Sequence, residues 1–319
     1  MKRMACEIRL RYLCNEPSTF LLNVLPARTP QQKVLDEHLS LAGMIGSATR
    51  YSDSEGTRFV RFQGDAEVVI TSVFTVDVTH VHQARELLVE RSPPDIPMNA
   101  MKYVLPSRYC ESDKMLDFAR QQFSNLNMGY ERIEQIARWV QQNLAFEPGS
   151  TNSISSAMDV LAGRRGVCRD FAHLMIAICR ALNVPARFVT GMDYGADPSL
   201  GPLDFHAYVE VFLGDRWFIF DPTGISIPTG LIRLGTGRDA ADVAFATIFG
   251  SIASDAPVVD IRAIQDSKAG LDIPERTTLP ISTSGLHSAS AFEDSDVFPS
   301  LGASLNDNLS DRTGQRQVA

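Results

Sequence analysis

The sequence predicts an α+β fold, in which a small all-β domain precedes a domain that combines helices with an antiparallel sheet. Residues 4 to about 105 carry short runs of β-branched and aromatic residues, which are typical of strands. After the prolines between Pro93 and Pro106, the apolar residues recur at helical spacing instead. Two further β-rich runs then flank Gly214-Asp215, a pair suited to a two-residue hairpin loop.

The chain divides into three segments. The spacing of apolar residues changes near Pro106, and the amino-acid composition changes near residue 265. We expect a β-rich domain over residues 1–105 and a mixed helical and β domain over residues 106–264. Residues 265–319 are rich in serine and poor in aromatic residues, so we expect a largely mobile tail. The strands expected in the first segment are Glu7–Leu13, Phe20–Leu25, Arg58–Gln63 and Ala66–Val78, with Gly64-Asp65 as a hairpin loop between the last two.

The composition narrows the classes of function. The chain has 319 residues, a net charge of −8 and 44% hydrophobic residues, which is ordinary for a folded protein of about two domains. Its negative charge repels phosphate backbones and anionic membranes, so we expect neither nucleic acid nor a membrane as a partner. No apolar run has the length of a membrane span or signal peptide, and the five scattered cysteines fit a reducing compartment. We therefore expect a cytoplasmic protein, and we expect no cofactor.

Four helices are predicted in the second segment. The first begins at Ser112 or Asp113, and the second carries apolar residues on one face over Ile133–Leu144. A short third helix begins after the capping residue Ser156 and ends at Gly163. The fourth helix follows directly and has a chemically reactive residue at its start.

Cys168 lies where this fourth helix begins. The apolar residues after it keep helical spacing until Pro185 ends the pattern. At a helix N-terminus the unpaired backbone N–H groups and the dipole favour a thiolate, the nucleophilic form of cysteine. The same N–H groups could hold the oxyanion of a tetrahedral intermediate. Cys179, on the apolar face of the same helix, is expected to be a buried thiol without a chemical role.

A histidine and an aspartate lie on the hairpin downstream. If Gly214-Asp215 is a two-residue loop, the register places His206 and Asp221 on the same face as diagonal neighbours. A carboxylate there would fix the tautomer of the imidazole, whose other nitrogen could face a thiol. Each residue also has an ordinary interpretation, since a lone strand histidine is often half-buried and Asp221–Gly224 is good turn chemistry. Together with Cys168 they predict a nucleophilic triad.

Metal-based interpretations are weaker, and we predict no metal site. His173 lies about 140° around the helix from Cys168, so we expect His173 to pack or to face solvent. A zinc hydrolase that uses Cys168, His173 and His206 is disfavoured for the same reason. Three acids in the Gly/Pro-rich connection could bind calcium but are expected to form a solvated loop: Asp193, Asp197 and Asp204.

The order of these motifs is similar to that of the transglutaminase-like superfamily, whose bacterial members include candidate cysteine proteases. The resemblance covers roughly residues 105–262, and the β-rich start also resembles the N-terminal region of the bacterial branch. It rests on Gly166–His173, Pro185–Val189, His206–Val211 and Trp217–Thr223, flanked by Leu105–Tyr109 and Gly237–Asp242.

The resemblance implies a papain-like core, in which the helix-borne cysteine packs on an antiparallel sheet. It implies Cys168 as nucleophile, His206 as general base and acid, and Asp221 as the orienting residue. The backbone N–H of Cys168 would be one oxyanion donor, and Tyr109, which lies in a matching motif, is a candidate second donor or substrate-binding residue.

The implied reaction is hydrolysis of an amide or peptide bond through a thioester, or transfer of the acyl group to an amine. We expect a peptide or protein substrate and favour water as the acceptor. A catalytically inactive binding or assembly module with the same fold is the alternative.

Overall fold

The computed structural model describes residues 1–195 and 203–285. Asp197 and the part of the expected tail beyond residue 285 lie outside these ranges. The helices are α1 (Met98–Met101), α2 (Leu116–Phe123), α3 (Tyr130–Asn143), α4 (Ala157–Gly163), α5 (Cys168–Ala181) and α6 (Ala240–Val243). The strands are β1 (Lys2–Cys14), β2 (Ser18–Leu22), β3 (Gln32–Ser52), β4 (Arg58–Val78), β5 (Val81–His82), β6 (Ala145–Phe146), β7 (Arg165–Gly166), β8 (Ala186–Asp193), β9 (Phe205–Leu213), β10 (Arg216–Phe220), β11 (Leu231–Gly237), β12 (Ala246–Phe249), β13 (Ile252–Ser254), β14 (Val258–Ile264) and β15 (Ile281–Ser282). Over the described ranges, no helix combines the length and the apolar character needed to span a bilayer.

A seven-stranded antiparallel sheet contains the first four strands of the chain. Its long strand β4 pairs with β3 along one edge, and with β2 and β1 along the other. β1 pairs in turn with β13 and β14, and β2 pairs with β12. Side chains of β1 alternate between buried and more exposed positions, as expected for a strand with one face on a core. Because β12, β13 and β14 come from residues 246–264, this sheet combines two segments far apart in sequence.

The predicted hairpin at Gly64-Asp65 is wrong. Strand β4 continues through these residues without a turn, and its partner is β3, which was not predicted. The irregularity is a bulge, in which Ala66 has φ of 55° and Gly43 on β3 has φ of 79°. A Cβ on Gly43 would lie 2.1 Å from the Glu67 carbonyl oxygen, so glycine is required there. β3 lacked a strand signal because nearly all its side chains are at least partly exposed.

Helix α5 is the centre of the second structural layer. Every residue from Asp170 to Ala181 is buried, because α5 packs on β8 and β9 and also contacts α3 and α4. The sheet beneath it has the order β10-β9-β8-β11 and is antiparallel throughout. The predicted Gly214-Asp215 hairpin is confirmed, since Leu213 faces Arg216 across it. This layer is the α+β core that the sequence predicts, with the cysteine-bearing helix packed on an antiparallel sheet.

The remaining helix predictions are close to the observed elements. Helices α3, α4 and α5 lie where they were expected, and the predicted cap Ser156 forms a capping box with Asp159 at the start of α4. At the first predicted helix, Ser112–Lys114 instead forms a 3-10 turn and α2 begins at Leu116.

Residues 265–285 contact both layers. Strand β15 pairs with β5, and Ile281 and Ser282 are buried. Lys2 Nζ donates a hydrogen bond of 2.7 Å to the Ile273 carbonyl. Thr229 and Glu275 exchange two hydrogen bonds, of 2.7 and 2.8 Å, so this segment is joined to the loop that precedes β11.

Candidate active site

Cys168 is the first residue of α5, as predicted. Asp170, at the third helical position, accepts a hydrogen bond from the backbone N–H of Val167 (2.9 Å) and one from the Thr151 hydroxyl (2.5 Å). These bonds fix the chain where it enters the helix and place a buried carboxylate at the positive end of the dipole. Gly166 is needed here, because a Cβ on it would lie 2.6 Å from the Cβ of Asp170. The half-buried thiol of Cys168 is thereby presented from a rigid helix start.

His206 is the second residue of β9, next to Gly191 on β8. Its side chain is only 4% exposed, and its Nε2 lies 3.3 Å from Oδ2 of Asp221. Burial by itself would lower the pKa of His206, but the Asp221 carboxylate and the nearby Cys168 sulfur outweigh burial and hold this pKa well above 6.5. The predicted proximity of His206, Asp221 and Cys168 is therefore present in the structure.

Asp221 lies in the turn after β10, and that turn surrounds its carboxylate with donors. Oδ1 accepts hydrogen bonds from the Thr223 backbone N–H (3.0 Å) and hydroxyl (2.6 Å). Oδ2 accepts the equivalent pair from Ser226, at 3.1 and 2.6 Å. Although burial opposes the charged form, His206 and these donors lower the pKa of Asp221 below its usual range. Asp221 is thus a fixed negative charge beside Nε2.

The turn chemistry at Asp221 and its interaction with His206 are two aspects of one arrangement. The sequence offered a structural interpretation for the turn and a chemical one for the acid. The structure combines them, since the donors of Thr223 and Ser226 aim the carboxylate at the imidazole. Ser226 was not predicted, although a hydroxyl residue five positions after an aspartate in a turn was a visible signal.

Asp193 corrects another prediction. It was expected in a solvated loop, but it is the last residue of β8 and is 3% exposed. Its Oδ2 lies 3.9 Å from Nδ1 of His206. All eight residues of β8 are buried, and the strand carries Asp193 into the interior. Asp204, by contrast, is exposed, and its Oδ1 accepts the backbone N–H of Phe205 at 2.7 Å.

A cavity of about 390 Å³ opens beside Cys168 and His206. Its wall is mostly apolar, with the aromatic rings of Phe188, Phe205 and Phe245. The other lining residues are Tyr109, Ser153, Arg169, Thr190, Asp204, Ala207, Ala240, Ala244 and Ala246. A cleft that combines apolar walls with a few polar groups around a thiol is suited to holding an acyl group against that thiol.

Tyr109 lies in the cavity wall and is held from three directions. Its hydroxyl donates to the Ser153 carbonyl (2.7 Å), and its backbone N–H donates to Oδ2 of Asp239 (2.9 Å). Its ring stacks on His173 with the ring centres 5.0 Å apart. A hydrogen bond from this hydroxyl to an oxyanion would therefore have to replace the bond to Ser153.

His173 packs inside the protein. It is fully buried, and its Nε2 accepts a hydrogen bond of 3.1 Å from the backbone N–H of Ala240. Burial lowers the pKa of His173 to about 3, so its imidazole is neutral. His173 supports the cavity wall by joining α5 to Tyr109 and to α6, and its Nε2 is already occupied by Ala240.

The five cysteines are all free thiols, but their environments differ. Burial raises the pKa of Cys110 to about 12, and it also raises the pKa values of Cys6 and Cys179. None of these three lines the cavity described above. Cys168 is thus distinguished by its place at a helix start in a cleft.

Comparisons with known proteins agree with this architecture. The sequence profile described as "Transglutaminase-like superfamily" matches residues 116–222. The chain is similar to a crystal structure of a candidate cysteine protease from Cytophaga hutchinsonii, with 34% identity and a TM-score of 0.81. The match covers 88% of this chain and 97% of that one.

Mycobacterial proteins are also similar. The Mycobacterium leprae protein ML0607 is 27% identical over 257 residues, which are 76% of this chain and 91% of that one. The Mycobacterium tuberculosis protein Rv2569c is 29% identical over 171 residues, half the length of each chain. The profile match includes the helix start at Cys168 and the hairpin, and the chain belongs to the transglutaminase-like superfamily.

Proposed function

We propose that this protein hydrolyses an amide or peptide bond through a thioester on Cys168. The observation that carries the proposal is the single cleft that contains the Cys168 thiol and His206, with Asp221 3.3 Å from the far nitrogen of the imidazole. At the level of the superfamily, thiol-dependent amide hydrolysis or transfer is the activity that the fold and the candidate protease neighbour support. The roles of the three residues are our proposal.

In acylation, Cys168 passes its proton to Nδ1 of His206, and the sulfur attacks the carbonyl carbon of the substrate. Negative charge moves to the carbonyl oxygen, where the backbone N–H of Cys168, free at the first helical position, donates to it. The C–N bond then breaks, and His206 gives its proton to the leaving amine. The products of this half-reaction are a free amine and a thioester.

In deacylation, a water molecule attacks the thioester carbon, and His206 accepts a proton from this water. The C–S bond breaks, a carboxylic acid leaves, and the proton returns to the Cys168 sulfur. An amine in place of water would give a new amide instead. Throughout, Asp221 keeps the proton-bearing Nε2 directed away from the sulfur, so that Nδ1 is the nitrogen that exchanges protons.

We propose a peptide or protein as the substrate, because the cleft is open at the surface and its apolar wall suits side chains flanking the scissile bond. The test is incubation with a peptide library, with and without a primary amine, followed by mass spectrometry. We expect cleavage products from the wild type and from Cys179→Ala, but none from Cys168→Ala.

Three results would contradict this proposal. Amine incorporation or ammonia release without chain cleavage would show a transferase. Equal activity of the Cys168→Ala variant would refute the thiol mechanism. If folded wild-type protein cleaved no peptide and its thiols all reacted slowly with an alkylating agent, the inactive binding module would be the better interpretation.

A further inference from the structure

A second buried carboxylate flanks His206. Asp193, at the end of β8, places Oδ2 3.9 Å from Nδ1, and the two side chains are 5% and 4% exposed. Oδ2 of Asp193 has no hydrogen-bond partner among the described residues. Burying an unpaired carboxylate oxygen is unfavourable, so a structure that keeps one beside a reactive group calls for an explanation.

In the part of the chain that the structure describes, three titratable groups lie near the imidazole, each on a different element. The Cys168 sulfur approaches from α5, Asp221 from the turn after β10, and Asp193 from β8. Burial raises the pKa of Asp193, whereas protonated His206 lowers it and Asp221 raises it. The negative charge of Asp193 is therefore favoured when His206 is positive.

On the basis of the proposed function, we propose that Asp193 is a positioning residue: it is the second carboxylate that holds protonated His206, facing Nδ1 while Asp221 faces Nε2. The Cys168 thiolate is the negative partner of the imidazolium on the Nδ1 side before attack. When the S–C bond forms, that charge passes to the carbonyl oxygen and the sulfur becomes neutral. Asp193 then remains as the negative group on this side until Nδ1 gives its proton to the leaving amine.

The test is a titration of His206 by NMR in protein labelled with ¹⁵N-histidine, with the His206 signal assigned from a His206→Gln variant. Asp193→Asn keeps the size of the side chain and removes its charge, and Asp193→Ser is a second, smaller variant. Asp215→Asn is the matched control, because Asp215 lies in the exposed hairpin loop with its side chain 48% exposed. Denaturant unfolding establishes that each variant is folded.

We expect both Asp193 variants to lower the pKa of His206 by about one unit or more, since an opposite charge at this distance shifts a pKa by that amount. The control is expected to leave it unchanged. We also expect the acid limb of the kcat profile to move to lower pH in Asp193→Asn, because deacylation needs neutral His206. A purely structural role would lower kcat equally at all pH values.

Unchanged titration and an unchanged acid limb in the Asp193 variants would overturn the inference. The titration uses resting protein and requires no turnover, so its outcome is separate from that of the proposed function. Shifted titration without any turnover would keep the coupling of Asp193 to His206 and reject the hydrolase. Cys168-dependent turnover with an unshifted profile would reject the role of Asp193 alone.

Discussion

Asp221→Asn tests whether His206 depends on a fixed negative charge. The substitution preserves the shape of the side chain but removes the charge 3.3 Å from Nε2. It also replaces one acceptor oxygen by an NH₂ group. In the wild type, one carboxylate oxygen accepts the backbone N–H of Thr223 and the other accepts that of Ser226. In the variant, one of these two N–H groups therefore loses its acceptor.

The cost can be worked out from these contacts. An unpaired buried donor costs about 1–3 kcal/mol, and removing one partner of a buried ion pair costs about 3–5 kcal/mol. Both figures describe loss of the same carboxylate and overlap, so we expect the free energy of unfolding to fall by about 3 kcal/mol. Because Asp221 no longer holds the His206 imidazole in the tautomer that acts as general base, we expect kcat to fall by about 10²–10⁴-fold.

This loss of stability should depend on pH. The depressed pKa of Asp221 contributes stability that is present above its ordinary value of 3.8 and is lost as the pH falls. The raised pKa of His206 contributes stability that is fully present below 6.5 and is lost as the pH rises through the raised value. The difference in the free energy of unfolding between wild type and variant should therefore be largest between pH 3.8 and the raised pKa of His206.

The assay is urea unfolding, followed by tryptophan fluorescence over this pH range, with kcat measured on the same samples. Asp215→Asn is the control for the chemical change itself. If Asp221→Asn matched the wild type in stability at pH 5 and 8 and kept its turnover, the charge would have no role and our reasoning about the pair would be refuted.

Three further predictions concern the surroundings of the site. At mildly acidic pH, iodoacetamide should label Cys168 well before Cys110 and Cys179, since burial raises the pKa values of those two thiols. Peptide mass spectrometry measures the order of labelling, and the opposite order would contradict this prediction. Gly166→Ala should lower the free energy of unfolding by about 1–3 kcal/mol through the clash with Asp170, whereas Gly163→Ala, where a Cβ meets nothing within 4 Å, should be tolerated; equal urea midpoints would contradict this. Thr229→Val should speed amide hydrogen exchange in residues 272–279, because both hydrogen bonds to Glu275 are lost, and unchanged exchange would show that other contacts hold this segment.

Local patterns predicted the parts of the site that depend on local chemistry. The turn at Gly214-Asp215 fixed the hairpin register, and the helical spacing after Cys168 fixed where α5 begins. Both features depend on residues that are neighbours in sequence, so a single amino-acid sequence is enough to predict them. The position of Cys168 against His206 was inferred from the chemical roles of a triad and then from the resemblance to a family, because nothing in the spacing specifies how a helix packs on a sheet.

The features that were missed depend on long-range contacts. β3 is a strand because β4 pairs with it, although its own side chains are mostly exposed. Asp193 looked like a loop residue because Gly and Pro follow it in sequence, yet pairing with β11 continues β8 to this position. In each case tertiary pairing overrides a local propensity.

Polar side chains that do not line the cleft join the flanking motifs to α5. Buried Arg180 donates hydrogen bonds to the carbonyls of Leu105, Ala186 and Arg238, which joins the two flanking motifs to α5. The carboxylate of Asp239 in turn accepts a hydrogen bond from the backbone N–H of Tyr109. Each of these groups would be costly to bury alone, and each is satisfied by backbone groups of another motif. Substituting them should therefore disturb the shape of the cleft, whereas substituting Cys168 should remove only the chemistry.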